Sequence, residues 1–126
     1  QRLDFDNQRR IAIAKCYCEK IKNSEIILPI SANQCINSSI NHVFQLFVIR
    51  TQHREQLQKY LIDNGIQTLI HYPIPTHKQR AYKEWNGLSF PVTELIHKEV
   101  LSLPISPIMF DDEINHVVDT INNYHI

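Results

Sequence analysis

Apolar residues recur at Ile11, Ala14, Cys18 and Ile21, with Tyr17 beside them. That i, i+3, i+7, i+10 spacing predicts a helix over roughly 5–22. Asp4 and Asp6 stand where a helix N-terminus favours negative charge. Residues 24–41 are rich in Ser and Asn, contain Pro29 and hold no sustained period, so they read as a connecting region with one short edge strand at Ile26-Ile27-Leu28. From Val43 to Ile49 every position but Gln45 is apolar. The run is too short for a buried helix and dense in Val, Ile and Phe, which predicts a central strand covered on both faces. Thr51 is placed to cap the next helix, Leu57, Tyr60 and Leu61 give that helix one buried face, and Asn64-Gly65 supplies a left-handed stop. A second strand is expected from Ile66 to about His71.

The next segment, His71-Tyr72-Pro73-Ile74-Pro75-Thr76-His77, cannot be helical, because two prolines fix φ and push Tyr72 and Ile74 toward extended conformations. A polyproline-like period of three would set His71, Ile74 and His77 on one edge. A short helical stretch around Lys78–Trp85 follows, then Val92, Leu95, Ile96 and Val100 at helical spacing. In Ser102-Leu103-Pro104-Ile105 the proline cannot donate to a ladder, so a strand there should be short or at an edge. The last helix has the clearest signature, with Asp111 as cap and Ile114, Val117, Val118 and Ile121 on one stripe. The order α-β-α-β-loop-α-(β)-α predicts an α+β fold, an α/β sandwich of modest size.

Length and composition narrow what such a fold can do. The 126 residues suit a single domain, and Ile, Leu, Val and Phe make up about a third of them, far above the level of disordered chains. Thirteen basic and thirteen acidic side chains leave no net field to attract nucleic acid or an anionic membrane, and no apolar run is long enough to span a bilayer. Only Gly65 and Gly87 are glycines. A dinucleotide fingerprint or a P-loop, each needing clustered glycines, cannot be assembled from two so far apart. Cys16, Cys18 and Cys35, an odd number without a secretory leader, point to reduced thiols and a cytoplasmic setting. The chain starts at Gln1 and has its one methionine at Met109, so its start is expected to be a cut in a longer sequence.

The seven histidines are scattered, none at the i, i+4 spacing of a helical zinc site, so no metal site is predicted. Nor is a G-x-S-x-G elbow present. The segment that departs from connector chemistry is 71–77, which concentrates two His, a Tyr and a Thr between prolines where a plain linker would carry Gly, Asn or Ser. A stiff loop bearing imidazoles and a phenol suits a polar ligand, since its donors are already held in place. The same composition also suits a tight crossover packed by Tyr72 and Ile74.

Gly65-Ile66-Gln67-Thr68-Leu69-Ile70 leading into the 71–77 loop, then Leu101-Ser102-Leu103-Pro104-Ile105, and before both His42-Val43-Phe44 through Val48-Ile49-Arg50, resemble the C-terminal small domain of the DegT-type sugar aminotransferases. The helix start carrying Arg9, Arg10 and Ala12 is similar to the helix that leads into that domain, and the likeness covers essentially the whole chain. It implies that 1–126 is the C-terminal small domain of a fold-type I enzyme dependent on pyridoxal phosphate, with 1–22 as lead-in helix. Such an enzyme transfers an amino group, usually from glutamate, onto a nucleotide-linked oxo-sugar, and is expected to be a homodimer. The resemblance places the Schiff-base lysine and the phosphate-binding residues in a missing N-terminal large domain. None of Lys15, Lys20, Lys22, Lys59, Lys78, Lys83 and Lys98 matches them, so no catalytic or cofactor-binding residue is assigned here. Loop residues His71 and Tyr72 carry over as substrate contacts, with His77 as a weaker third. The form of the loop is most like members acting on dTDP-3-oxo-6-deoxyhexoses. A free-standing α+β ligand-sensing or interaction module is the alternative.

Overall fold

The computed structural model describes residues 2–30 and 42–126. Cys35 and most of the predicted connecting region lie outside them. Helix α1 (Arg2–Lys20) starts three residues earlier than the period suggested and buries Ile13, Ala14, Tyr17 and Cys18, while Cys16 is half-buried. Strand β1 (Phe47–Arg50) is followed by α2 (Arg54–Asp63). Two 3-10 turns, Thr76–Lys78 and Arg80–Trp85, take the place of the predicted helical stretch. Then come α3 (Pro91–Glu99), β2 (Val100–Leu103) and α4 (Asp111–Asn122).

The expected strand over 43–49 is shorter and less enclosed than its composition suggested. Phe44 takes a positive φ of 50°, Val43 and Leu46 are exposed, and only Phe47–Arg50 pairs, with burial that alternates along the strand. One face is therefore core and the other is not. β1 runs antiparallel to β2, Phe47 opposite Leu103 and Arg50 opposite Val100. Single antiparallel bridges extend this ladder on both sides, Ile27 to Arg50 and Leu69 to Ser102. The predicted edge strand at Ile26–Leu28 thus contributes one bridge, and the predicted strand over 66–71 is reduced to the bridge at Leu69.

Strand β2 consequently lies inside the sheet and all four of its residues are buried; of the two outcomes expected from Pro104, a short strand or an edge strand, it takes the first. Pro104 sits one residue beyond the ladder, where no N–H is required of it. Val100, which continued the helical spacing, begins β2 instead; its backbone turns extended at φ −68°, ψ 136°. The packing core joins Phe47, Ile49, Leu101 and Leu103 from the sheet to Tyr17 of α1, Leu57 and Leu61 of α2 and the apolar stripe of α4. Phe47 meets the Tyr17 ring edge-on at 5.1 Å. The Tyr17 hydroxyl donates to the Pro104 carbonyl at 2.8 Å, and burial pushes its phenol well above the ordinary range, with Cys16 and Glu113 adding to the shift.

Two helix starts differ from the expected caps. Thr51 is buried and its Oγ1 accepts the His53 N–H at 3.2 Å, so His53, not Thr51, occupies the N-cap position of α2. Asp111 is the first residue of α4 rather than its cap; the Phe110 N–H before it is satisfied by Glu113 Oε2 at 2.7 Å. Gly65 does make the left-handed stop after α2, at φ 77°.

Candidate functional site

The turn at Gly65 sends the chain back along the sheet. Its N–H reaches the Ile62 carbonyl at 2.9 Å, and the Ile66 N–H the Leu61 carbonyl at 2.8 Å. Leu69 then pairs with Ser102, which donates to the Leu69 carbonyl at 2.8 Å and accepts from its N–H at 3.3 Å. Two residues further on, His71 stands over β2 with Nδ1 2.9 Å from Ser102 Oγ. The His71–Tyr72 peptide bond is cis, and the two rings are 5.6 Å apart at 88°. Tyr72 is 66% exposed and Ile74 51%.

The far end of the loop turns inward. His77 is 5% exposed, with Nε2 2.9 Å from Glu94 Oε1 on α3 and its ring edge-on to Phe90 at 4.8 Å. The same Glu94 oxygen accepts the Phe90 N–H at 3.1 Å. Lys78 Nζ donates to the Asn86 and Leu88 carbonyls, both at 2.8 Å, and so ties the 3-10 turns to the segment that leads into α3. The single edge expected for His71, Ile74 and His77 is therefore not formed. Both imidazoles are held by protein partners, His71 on β2 and His77 on α3, and the exposed Tyr72–Ile74 stretch is suspended between them.

Neither Ser102 nor Glu94 was singled out from the sequence. Ser102 left a signal, as the one polar residue within the apolar run Val100–Leu103. Glu94 left none, since a carboxylate in a helix first turn needs no partner to be favoured there.

Hydrogen bonding to His77, then to the Phe90 N–H, holds the Glu94 carboxyl below its ordinary value of 4.5. A depressed carboxyl stabilises the fold above its unfolded pKa and loses that contribution as pH falls through the folded one. The clasp between the loop and α3 should thus loosen as the medium is acidified below 4.5. Trp85, the one tryptophan of the chain, lies in the adjoining 3-10 turn and reports on it. Its fluorescence should change on acidification in the native chain and stay flat through that range in Glu94→Gln; an identical transition in both would show that another group governs it.

Sequence residues that could hold pyridoxal phosphate do not fit it here. Six of the seven lysines are exposed and Lys15 is half-buried on α1, so none is the enclosed amine that Schiff-base chemistry requires. Neither glycine lies in a loop that brings backbone N–H groups together at a helix start. Among the described residues no three His, Cys, Asp or Glu side chains converge as a metal site. No helix among them is long and apolar enough to cross a membrane. An open groove of 840 Å³ runs between Ile66–Leu69, Pro104–Ser106 and α4; it is mainly apolar and does not include His71 or Tyr72.

Known proteins share the sequence and the fold of this chain. The model of the DegT/DnrJ/EryC1/StrS aminotransferase family matches residues 1–122. The dTDP-3-amino-3,6-dideoxy-alpha-D-galactopyranose transaminase of Aneurinibacillus thermoaerophilus is 53% identical over 122 residues, which cover 97% of this chain and 32% of that enzyme. The dTDP-3-amino-3,4,6-trideoxy-alpha-D-glucose transaminase of Streptomyces venezuelae is 34% identical over 125 residues, again 97% of this chain and 32% of the relative. Among solved structures, Streptomyces venezuelae DesV in complex with a ketimine intermediate superposes with a TM-score of 0.84 at 35% identity, over 95% of this chain and 32% of that one. Bacillus subtilis NtdA with bound cofactor PMP gives 0.78 at 28% identity, over 92% and 27%. The chain spans about a third of the length of these relatives. Its fold is the small α+β unit of fold-type I sugar aminotransferases, and the chain belongs to the DegT/DnrJ/EryC1/StrS aminotransferase family.

Proposed function

We propose that this chain is the C-terminal small domain of a longer, cytoplasmic, homodimeric aminotransferase that moves an amino group from glutamate onto a dTDP-linked 3-oxo-6-deoxyhexose. The observation that carries the reading is the 53% identity, sustained along 97% of the chain, to an enzyme named for a dTDP-3-amino-3,6-dideoxyhexose. Pyridoxal phosphate, the cofactor that the family implies, supplies the chemistry of amino transfer and is held by parts of the parent outside this chain, since no residue here fits it.

The role left to this domain is to form one wall of the sugar-nucleotide cleft. His71 and Tyr72 contact the substrate. The loop suits that task because its two ends are fixed to β2 and α3 while the Tyr72 ring remains open to a ligand; holding donors in place beforehand lowers the entropy cost of binding. His77 is the third candidate contact, and its bond to Glu94 gives it a share in holding the loop in shape.

The test is direct. The parent, given glutamate and a dTDP-3-oxo-6-deoxyhexose, should release 2-oxoglutarate and convert the sugar C=O to CH–NH2, one for one, as read by mass spectrometry of the nucleotide sugar. Failure to aminate any member of a panel of dTDP-linked 3-oxo and 4-oxo sugars would overturn the substrate class, and amination at carbon 4 alone would overturn the position.

A further inference from the structure

Ser102 is the one polar side chain in the buried strand β2, and it is 4% exposed. Alternation along the strand turns Leu101 and Leu103 to the core and Ser102 to the opposite face, where His71 lies with Nδ1 2.9 Å from the hydroxyl. Among the described residues His71 is the hydrogen-bond partner of that hydroxyl and there is no second one. His71 Nε2, in turn, has no protein partner among them.

A hydroxyl has one proton to give, and a neutral imidazole has one nitrogen that donates and one that accepts. Were the proton on Nδ1, that nitrogen would donate to Oγ and leave the buried hydroxyl hydrogen without an acceptor, a state that native interiors avoid. With the Ser102 hydroxyl donating to Nδ1, one bond satisfies both groups, and the ring proton falls on Nε2. The contact also distinguishes the two ring orientations, because turning the ring over would set a C–H against Oγ.

We propose that Ser102 is a positioning residue for His71: it donates its hydroxyl proton to Nδ1, holds the imidazole as the Nε2–H tautomer, and aims that N–H away from the sheet as a donor to an oxygen of the oxo-sugar nucleotide. The inference rests on the reading of 71–77 as a wall of the sugar-nucleotide cleft. Ser102 itself touches no substrate. A neutral N–H donor suits the carbonyl, hydroxyl or phosphate oxygens of such a molecule, all of which accept, and it offers nothing to an ammonium group. Substrate preference at this wall is thus set from behind, by a hydroxyl on the buried strand.

Two readouts in the parent test it. The first needs no substrate: 15N spectra of histidine-labelled protein, with the His71 signals assigned by their loss in His71→Gln, should show an unprotonated Nδ1 and a protonated Nε2. Ser102→Ala should turn this into a tautomer mixture and Ser102→Thr, which keeps the hydroxyl on a β-branched side chain suited to a strand, should preserve it. A protonated Nδ1 in the native protein overturns the proposal. The second readout is kinetic. Ser102→Ala should lose roughly 3- to 10-fold in kcat/KM for amination of the sugar, as expected for one neutral hydrogen bond, with the glutamate-consuming step unchanged and Ser102→Thr recovering the loss. In the His71→Ala background Ser102→Ala should cost nothing further, the non-additivity expected of residues acting through one contact. Additive losses, or equal slowing of both steps, would mean that Ser102 serves packing alone. A native parent that aminated no sugar would count against the function, whereas an Nδ1–H signal would count against Ser102.

Discussion

Removal of α4 from Asp111 onward should abolish cooperative unfolding of this chain. Ile114, Val117, Val118 and Ile121 are each 3% exposed or less, and burying an aliphatic side chain of this size contributes roughly 1.5–3 kcal/mol. Four of them supply on the order of 6–12 kcal/mol, an upper figure because unfolded chains already bury part of this surface, yet comparable with the total of about 5–15 kcal/mol that holds a domain. The helix also closes polar accounts elsewhere. Asn122 Nδ2 donates to the Lys20 carbonyl at 2.9 Å and its Oδ1 accepts the Lys22 N–H at 2.8 Å, so the deletion leaves the end of α1 without its partners. Asn23 Nδ2 loses the Ile121 and Tyr124 carbonyls, both at 2.7 Å. Thermal melts followed by circular dichroism should therefore lose their sigmoid in the truncated chain. The graded variant Ile121→Ala should keep the sigmoid while costing about 2–5 kcal/mol, as fully buried aliphatic truncations do. A truncated chain melting cooperatively near the intact midpoint would show that α4 is peripheral.

The elements that could be read from the sequence are those whose signal is local. The stripe of α4 and the period around Tyr17 are set by side chains three and four apart, and Gly65 marks a backbone conformation that other residues avoid. Where the outcome depended on distant partners, the pattern along the chain overshot or left it open. The density of Val, Ile and Phe in 43–49 suits a strand, but pairing length is decided by β2 and by the positive φ of Phe44, neither of which leaves a mark in composition. Pro104 left β2 either short or at an edge; it stands just past the last pair and the strand is short, while the bridge from Leu69 on the far side, which removes the edge, is a distant contact. The loop 71–77 was visible because prolines are local. What fixes it was not: His77 finds Glu94 seventeen residues on, and His71 finds Ser102 across thirty-one. Fold class is therefore legible from periodicity, whereas a site assembled by long-range hydrogen bonds is legible only in its exposed half.

Substitution of that exposed half should separate the two stages of the reaction in the parent. If His71 and Tyr72 touch the sugar nucleotide while glutamate and cofactor are handled by the large domain, His71→Ala and Tyr72→Phe should impair formation of the amino sugar and spare the consumption of glutamate. Losing one hydrogen bond costs about 0.5–1.5 kcal/mol to a neutral partner and about 1.5–3 to a charged one such as a diphosphate, which corresponds to roughly 3- to 150-fold in kcat/KM. His71→Ala should fall toward the larger end if Nε2 reaches phosphate and toward the smaller if it reaches a sugar oxygen. Tyr72→Phe removes only the hydroxyl, so the ring contact survives and the loss isolates that one group. Release of 2-oxoglutarate in a single turnover without sugar measures the first stage, and appearance of the amino sugar measures the second. Both variants keep the His77–Glu94 clasp, so a shift in the melting midpoint of more than a few degrees is not expected. Equal losses in the two stages would mean that the loop supports the shape of the cleft and touches no sugar. Unchanged rates in both would reduce 71–77 to a crossover stiffened by Pro73 and Pro75, and the contacts that recognise the nucleotide sugar would have to be sought outside this chain.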